Sequence, residues 1–170
     1  MKIKIINATI KDYQLIQNMA RFYVYDLSKE CGLDSVEWEI PEDGLYESSD
    51  FRNYFEESQR KAYLVKVNHE IAGFVLLHQV TEDFSNKWNI GEFFIIARFQ
   101  GRGVASQVAY QIWTMHPGKW LVSVIPENTK ALRFWEKTIN NFTNNNFLKK
   151  SCKVTYDNAQ PKRIVFEFNA

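Results

Sequence analysis

Cysteine is scarce in this chain, with only Cys31 and Cys152 among 170 residues. The two make no C-x-x-C pair and no metal-ligand set, so both read as spectators in a reducing compartment, which sets the expectations of a cytoplasmic protein and no bound metal. Long apolar runs are also lacking. Nothing approaches the roughly 20 residues of a membrane span, and residues 1–7 hold no apolar stretch long enough for a signal peptide. There is no strong excess of either charge. Lys and Arg number 21 against 20 Asp and Glu, a formal net charge of +1, which argues against wholesale nucleic-acid binding. Internal repeats and low-complexity tracts are missing as well.

What is present is apolar mass. At 45% hydrophobic residues the chain can bury one good core and is too short for two, so a single domain over 1–170 is expected. The charges are segregated. Residues 26–50 contain nine acids (Asp26, Glu30, Asp34, Glu37, Glu39, Glu42, Asp43, Glu47, Asp50) and one base, Lys29, leaving this segment at −8 and the remainder at +9. One surface suited to a cation and another suited to an anion would have this pattern, as would a solvated acidic loop.

The chain is organised around residues 92–110. Phe93 to Ile96 is apolar on both faces, as a strand covered on both sides must be. Val104, Val108 and Ile112, with Ala105 and Ala109, form one helical stripe. Between them lies Gln100-Gly101-Arg102-Gly103. Glycines permit positive φ and close approach to the main chain, and a helix start offers unpartnered N–H groups, which together suit a phosphate. The same glycines also serve simply to save space at a strand-to-helix turn. The turn lacks the Lys-Ser/Thr of a P-loop and the third Gly of a dinucleotide fingerprint.

The pattern of period-2 and helical segments gives the order β-α-α-β-β-β-α-β-α-β-β, an α/β protein with a mixed sheet. A strand is expected over 2–7, a helix from a Thr9/Asp12 capping box to residue 27, a short helix within 50–58 and a hairpin of 62–68 with 71–80. A polar loop is expected over 81–87. Strands are expected over 120–125, 147–156 and 163–168, with a helix starting at Asn128. His69 reads as an exposed turn residue, and His78 as a minor catalytic candidate near a strand end.

Gln100-x-x-Gly103-x-Ala105 resembles the Q/R-x-x-G-x-G/A signature of the GNAT superfamily of acetyl-CoA-dependent N-acetyltransferases. Residues 128–137, with Asn128, Ala131, Phe134 and Trp135, resemble the later block of that family. The resemblance implies a sheet splayed between the fourth and fifth strands, with the cofactor arm in the gap. It implies that the amides of Gly101, Arg102, Gly103, Val104, Ala105 and Ser106 cradle the CoA pyrophosphate. It places the segment Phe93, Phe94, Ile95 along the pantetheine arm through the backbone of Phe93 and Ile95, with Asn128 and Trp135 also at the cofactor. Arg102, Lys130 and Lys137 are candidates for the phosphate charges.

The implied activity is acetyl transfer from acetyl-CoA to a primary amine in a ternary complex. An alkylamine with a pKa of about 10.4 arrives protonated and needs a base. Glu92 is the candidate, on the opposite face of its strand from Phe93 and Ile95, with a surface or capping role as the competing reading. Water relayed through Tyr25 or Asp26 is the fallback, and the Ile95 N–H is the expected oxyanion donor. Many members carry Tyr where this chain has Trp135, and an indole N–H has no useful acidity. The thiolate then leaves unaided, or Tyr110 or Ser123 protonates it; a non-catalytic acyl-CoA-binding module would show the same substitution. The acidic segment borders the expected acceptor site, so a cationic small molecule or lysine-like amine is expected, with no nucleic-acid or membrane partner. A homodimer is compatible with the many aromatics, although a core role accounts for them too.

Overall fold

The computed structural model describes residues 1–31, 38–82, 85–154, 157–158 and 160–170. Alternating Lys and Ile make β1 (Ile3–Asn7) a half-covered edge strand. At Thr9 the capping box forms as the sequence predicts, the Thr9 amide donating to Asp12 Oδ2 at 2.8 Å. A 3-10 turn (Ile10–Asp12) then leads into α1 (Tyr13–Cys31). This helix runs one turn past the expected end at residue 27, because no Gly or Pro interrupts the sequence before residue 32. The short helix is a single turn, α2 (Asn53–Glu56).

β2 (Arg60–Val67) and β3 (Glu70–Glu82) form a hairpin whose turn places Asn68 at φ 58°. Of the expected loop over 81–87, the described residues are strand: β3 and β4 (Ser85–Ile95) stay paired from Gly73↔Ile95 down to Glu82↔Ser85, and 83–84 lie outside the described residues. Main-chain pairing needs no apolar side chains, and an antiparallel hairpin tolerates polar residues facing water. There follow α3 (Val104–Met115), β5 (Lys119–Val124), α4 (Thr129–Thr143), β6 (Phe147–Lys153) and β7 (Lys162–Asn169). β6 stops short of the predicted residue 156, and Tyr156 lies outside the described residues.

The seven strands lie in the order β1-β2-β3-β4-β5-β7-β6. All neighbours are antiparallel except β4 and β5, whose α3 crossover makes them parallel. Helices cover both faces, giving two cores. Ile112, Trp113 and Ile139 from α3 and α4 pack with Val75, Trp120 and Phe166, all without solvent exposure. On the other face Ile16 and Ala20 of α1 pack with Phe74 and Leu76. Each such large side chain contributes about 1.5–3 kcal/mol through burial, so both helical layers are held firmly to the sheet.

β4 and β5 pair only at Trp88↔Trp120, Asn89↔Leu121 and Ile90↔Val122. Beyond Ile90 they part, and the C-terminal half of β4 is left without a neighbour on that side. The mixed sheet and its element order are those the sequence predicts, and the splay is the one the family resemblance implies.

Candidate active site

A single glycine sets the geometry of the opening. Leu76 pairs with Glu92 but Leu77 pairs with Ile90, so Gly91 is an extra, bulged residue in β4. A bulge shifts the alternation of the strand. Before it, Trp88 and Ile90 face α3 and α4; after it, Phe93 and Ile95 do so, while Glu92 and Phe94 turn towards α1 and α2. Gly91 also makes room: a Cβ there would lie 2.2 Å from the Tyr54 hydroxyl and 3.0 Å from His78 Nδ1.

Glu92 therefore sits against the α1 face, where the Tyr23 hydroxyl is near enough to favour its charged form. Its side chain keeps some solvent access, yet protein crowds the carboxyl itself. That crowding governs its acidity: burial pushes it from the ordinary 4.5 up to about 7, against the opposing pull of the nearby Tyr23 hydroxyl. Burial, and then the Glu92 charge, raise Tyr23 well above 10 and Tyr54 to about 12. A carboxylate poised near neutrality suits proton abstraction near pH 7.

Behind Tyr54 stands His78, its Nδ1 3.2 Å from the phenol oxygen and its Nε2 3.1 Å from the Asn89 amide. Burial, then Arg60, hold this imidazole below its usual pKa. His78 is thus mid-strand in β3, not near a strand end as the sequence suggested.

On the gap side, the Ile96 amide donates to the Ala72 carbonyl at 2.9 Å. By strand alternation the main-chain groups of Phe93 and Ile95 then point away from β3, into the opening. Phe94 is turned the other way. Its main chain faces β3 and its buried ring packs 5.8 Å from Phe74 and Tyr23, so it offers the gap neither. The Ile95 carbonyl accepts from Gln100 Nε2 at 2.7 Å, leaving its N–H as the open group. Gln100 also reaches Asp26 Oδ2 and Lys130 Nζ, each at 3.5 Å.

The turn after β4 carries Gly101 at φ 70° and Gly103 at φ 76°, left-handed conformations that favour glycine. The flanking hydrogen bonds are Gln100 N–H to the Ala97 carbonyl at 3.1 Å and Gln107 N–H to the Gly103 carbonyl at 3.3 Å. Between them, the amides of Gly101, Arg102, Gly103, Val104, Ala105 and Ser106 make no hydrogen bond to a described residue. A row of unspent donors at a helix start fits a diphosphate. Arg102, exposed, donates to the Arg98 carbonyl at 3.2 Å.

α4 walls the other side. Asn128 caps it, Oδ1 accepting from the Ala131 amide at 3.0 Å, so only its side-chain N–H groups remain for a ligand. Trp135 is buried against Phe93, ring centroids 5.0 Å apart. Tyr110 packs tilted against Phe142, ring centroids 5.4 Å apart, between α3 and α4. Tyr25 meets Tyr46 edge to face, ring centroids 6.0 Å apart. Of the acidic segment, 32–37 lies outside the described residues, Glu37 among them; Asp26, Glu39, Glu42 and Asp43 are exposed. α1 spans the opening, from Tyr23 at Glu92 to Cys31, whose carbonyl lies 3.4 Å from Gln160 Nε2. Burial, and then Glu127, push the Cys31 thiol up to about 11.

The sequence profile of the acetyltransferase (GNAT) family matches residues 22–140, well over half of the chain. The chain belongs to the GNAT acetyltransferase family. GNAT members are acyltransferases that use acetyl-CoA, and the free amides at 101–106 and the gap-facing main chain of Phe93 and Ile95 fit that ligand. Solved structures agree in fold. An acetyltransferase from Thermus thermophilus superposes with a TM-score of 0.67 at 16% identity, over 100% of this chain and 98% of that one. The spermidine N-acetyltransferase from Vibrio cholerae in complex with CoA and spermine gives 0.62 at 16%, over 98% and 95%. A GNAT-family acetyltransferase from Streptococcus pneumoniae gives 0.61 at 15%, over 99% of each. No curated protein sequence matches the chain. No described helix of this GNAT chain is long and apolar enough to cross a membrane.

Tyr23 and Tyr54 as partners of Glu92 escaped the sequence reading. The available signal was Gly91 itself, a glycine inside an otherwise bulky strand, which marks a bulge or a close approach.

Proposed function

We propose that this chain, acting as one domain, moves the acetyl group of acetyl-CoA directly onto a primary amine that carries positive charge, with Glu92 taking the amine proton. The observation that carries this reading is the place of Glu92, opposite Leu76 just past the point where β4 leaves β5, where burial raises its carboxyl to about 7. Acetyl-CoA supplies an activated acetyl thioester. The chain's part is to hold and deprotonate. The amides of 101–106 grip the diphosphate, with Lys130 and Arg102 adding positive charge nearby. The gap-facing groups of Phe93 and Ile95 align the arm as an added strand, and Gln100 gives up the Ile95 carbonyl as the arm arrives. The Ile95 N–H polarises the thioester carbonyl. The acceptor ammonium approaches from the α1 face, drawn by Asp26, Glu92 and the exposed acids at Glu39, Glu42 and Asp43, and passes one proton to Glu92, while its second proton leaves to water as the amide bond forms and the carbon–sulfur bond breaks. Trp135 packs beside Phe93 and donates no proton to sulfur; a thiol of pKa about 8.5 leaves as thiolate without one. The free thiols Cys31 and Cys152 suit a reducing site such as the cytoplasm.

Thiol release from acetyl-CoA across a panel of amines tests this. Turnover with cationic primary amines, lost in Glu92→Gln, is the expected result. Turnover confined to neutral or anionic amines, or unchanged in Glu92→Gln, overturns it. Trp135 favours a second reading, a non-catalytic acyl-CoA-binding module, for which the same panel gives coenzyme uptake by calorimetry and no turnover with any amine.

A further inference from the structure

β7 begins beside the mouth of the opening. Its Ile164 pairs with Val124 at the end of β5, past the point where β4 and β5 part at Ile90↔Val122. The turn that leads into β7 is bolted to the sheet. Gln160 and Arg163 are both buried. Asp157 pairs with the Arg163 guanidinium at 2.5 Å and accepts from the Gln160 amide N–H at 2.8 Å, while Arg163 donates to the Gln160 carbonyl. With its main chain held on both sides, Gln160 spends its side chain on other parts of the protein.

That side chain grips two segments. An indole N–H can only donate, so Gln160 presents Oε1 to Trp38 Nε1, at 2.9 Å, and this leaves Nε2 to donate to the Cys31 carbonyl, at 3.4 Å. Cys31 ends α1, where the last carbonyls of a helix have no partner within it. Since α1 packs on β2–β4 through Phe74, Leu76 and Phe94, Gln160 reaches from the β7 side of the splay to the β4 side. Trp38 leads into residues 39–50, which hold neither helix nor strand. Its carbonyl accepts from the Tyr46 hydroxyl at 3.4 Å. The Tyr46 ring lies 6.0 Å from that of Tyr25, one residue before Asp26, whose Oδ2 is 3.5 Å from the Gln100 amide at the coenzyme slot. Among the described residues, Trp38 to Gln160 is the hydrogen bond that fastens residues 38–46 to the rest of the chain.

We infer that Gln160 is a positioning residue for the amine acceptor: from the β7 side it holds Trp38 and the end of α1 across the mouth of the splay, and so fixes the wall against which the amine docks. The inference rests on the proposed entry of the amine from the α1 face. Without the grip, Trp38 and the exposed acids that follow it, Glu39, Glu42 and Asp43, lose their fixed place, and each docking amine must order them again. The coenzyme slot and Glu92 belong to β4 and the start of α3, which the grip does not touch.

The test is steady-state kinetics of the full chain with the cationic primary amine that turns over fastest in the panel above. In Gln160→Met, of similar length and without the amide, the amine KM is expected to rise about tenfold while kcat stays within about twofold, and calorimetry gives the parent affinity for coenzyme A. Trp38→Phe keeps an aromatic ring and removes the N–H; it is expected to give most of that rise, and it serves if Gln160→Met does not fold. The double variant is expected to go no higher than Gln160→Met alone, because the two changes break one contact. An amine KM unmoved in the variants, a loss carried by kcat, a rise matched by an equal loss of coenzyme affinity, or rises that add in the double variant each overturn the inference. Absence of turnover by the parent with every amine is read separately, since it overturns the proposed function and the inference with it.

Discussion

Replacing Glu92 with Gln is expected to make the protein more stable above neutral pH while removing its base. The folded chain holds the Glu92 proton more tightly than the unfolded chain, with a value of about 7 against the ordinary 4.5. This contribution to stability is fully present below about pH 4.5 and is lost as pH rises through 7, since a crowded carboxylate must then be charged. Each pH unit between the two values is worth about 1.4 kcal/mol, so the gap from 4.5 to about 7 sets a ceiling of about 3.5 kcal/mol. Partial solvent access brings the expected cost to about 2 kcal/mol. Gln keeps the shape and carries no charge. Thermal unfolding at pH 8.5 is expected to rise by about 4–8 °C in Glu92→Gln, and the two proteins are expected to melt together at pH 4.5. Turnover at pH 8.5 falls by about 10²–10⁴-fold, the usual share of a positioned base. Equal melting temperatures at pH 8.5, or the same gain at pH 4.5, would refute the assignment of a high proton affinity to this carboxyl.

Three further outcomes test the surroundings. Gly91→Ala drives a methyl to within 2.2 Å of the Tyr54 oxygen and is expected to cost about 1–3 kcal/mol in urea unfolding; Tyr54→Phe removes that oxygen and restores part of the loss. Gly103→Ala meets nothing closer than the Gln107 side chain at 3.8 Å, so its cost is the left-handed backbone, about 1–2 kcal/mol. Calorimetry is expected to show CoA affinity falling about tenfold more than the melting temperature alone would suggest, and unchanged affinity counts against the turn. Trp135→Phe leaves a cavity beside Phe93 and destabilises by about 1–3 kcal/mol, while the alkaline limb of the rate profile stays in place because the indole never supplied a proton.

Periodicity made the fold legible because both cores are built from regular stripes. Val104, Val108 and Ile112 read as one helical face and are buried as one. The splay was reached through the family resemblance of the turn and the later block, since no local pattern announces where two parallel strands part. The opposite facing of Glu92 from Phe93 and Ile95 was also legible, as simple alternation. What alternation hides is the bulge at Gly91, a register event between strands. The meeting of Tyr23, Tyr54 and His78 around it escaped notice because these residues come from three elements and are brought together only by packing. The polar run over 81–87 misled for a related reason: main-chain pairing carries a hairpin through residues whose side chains favour a loop.

The ladder between β4 and β5 holds only three register pairs. Such a ladder is short for a 170-residue chain, and the core shared under α3 and α4 carries the rest of the join between the two halves of the sheet. A coenzyme arm laid along Phe93 and Ile95 would work as a stitch, lengthening the join from one side to the other. Amide hydrogen exchange along β5 and the end of β4 would then slow on cosubstrate uptake, far more than in the β2–β3 hairpin, and the cosubstrate would count as part of the scaffold while it is bound.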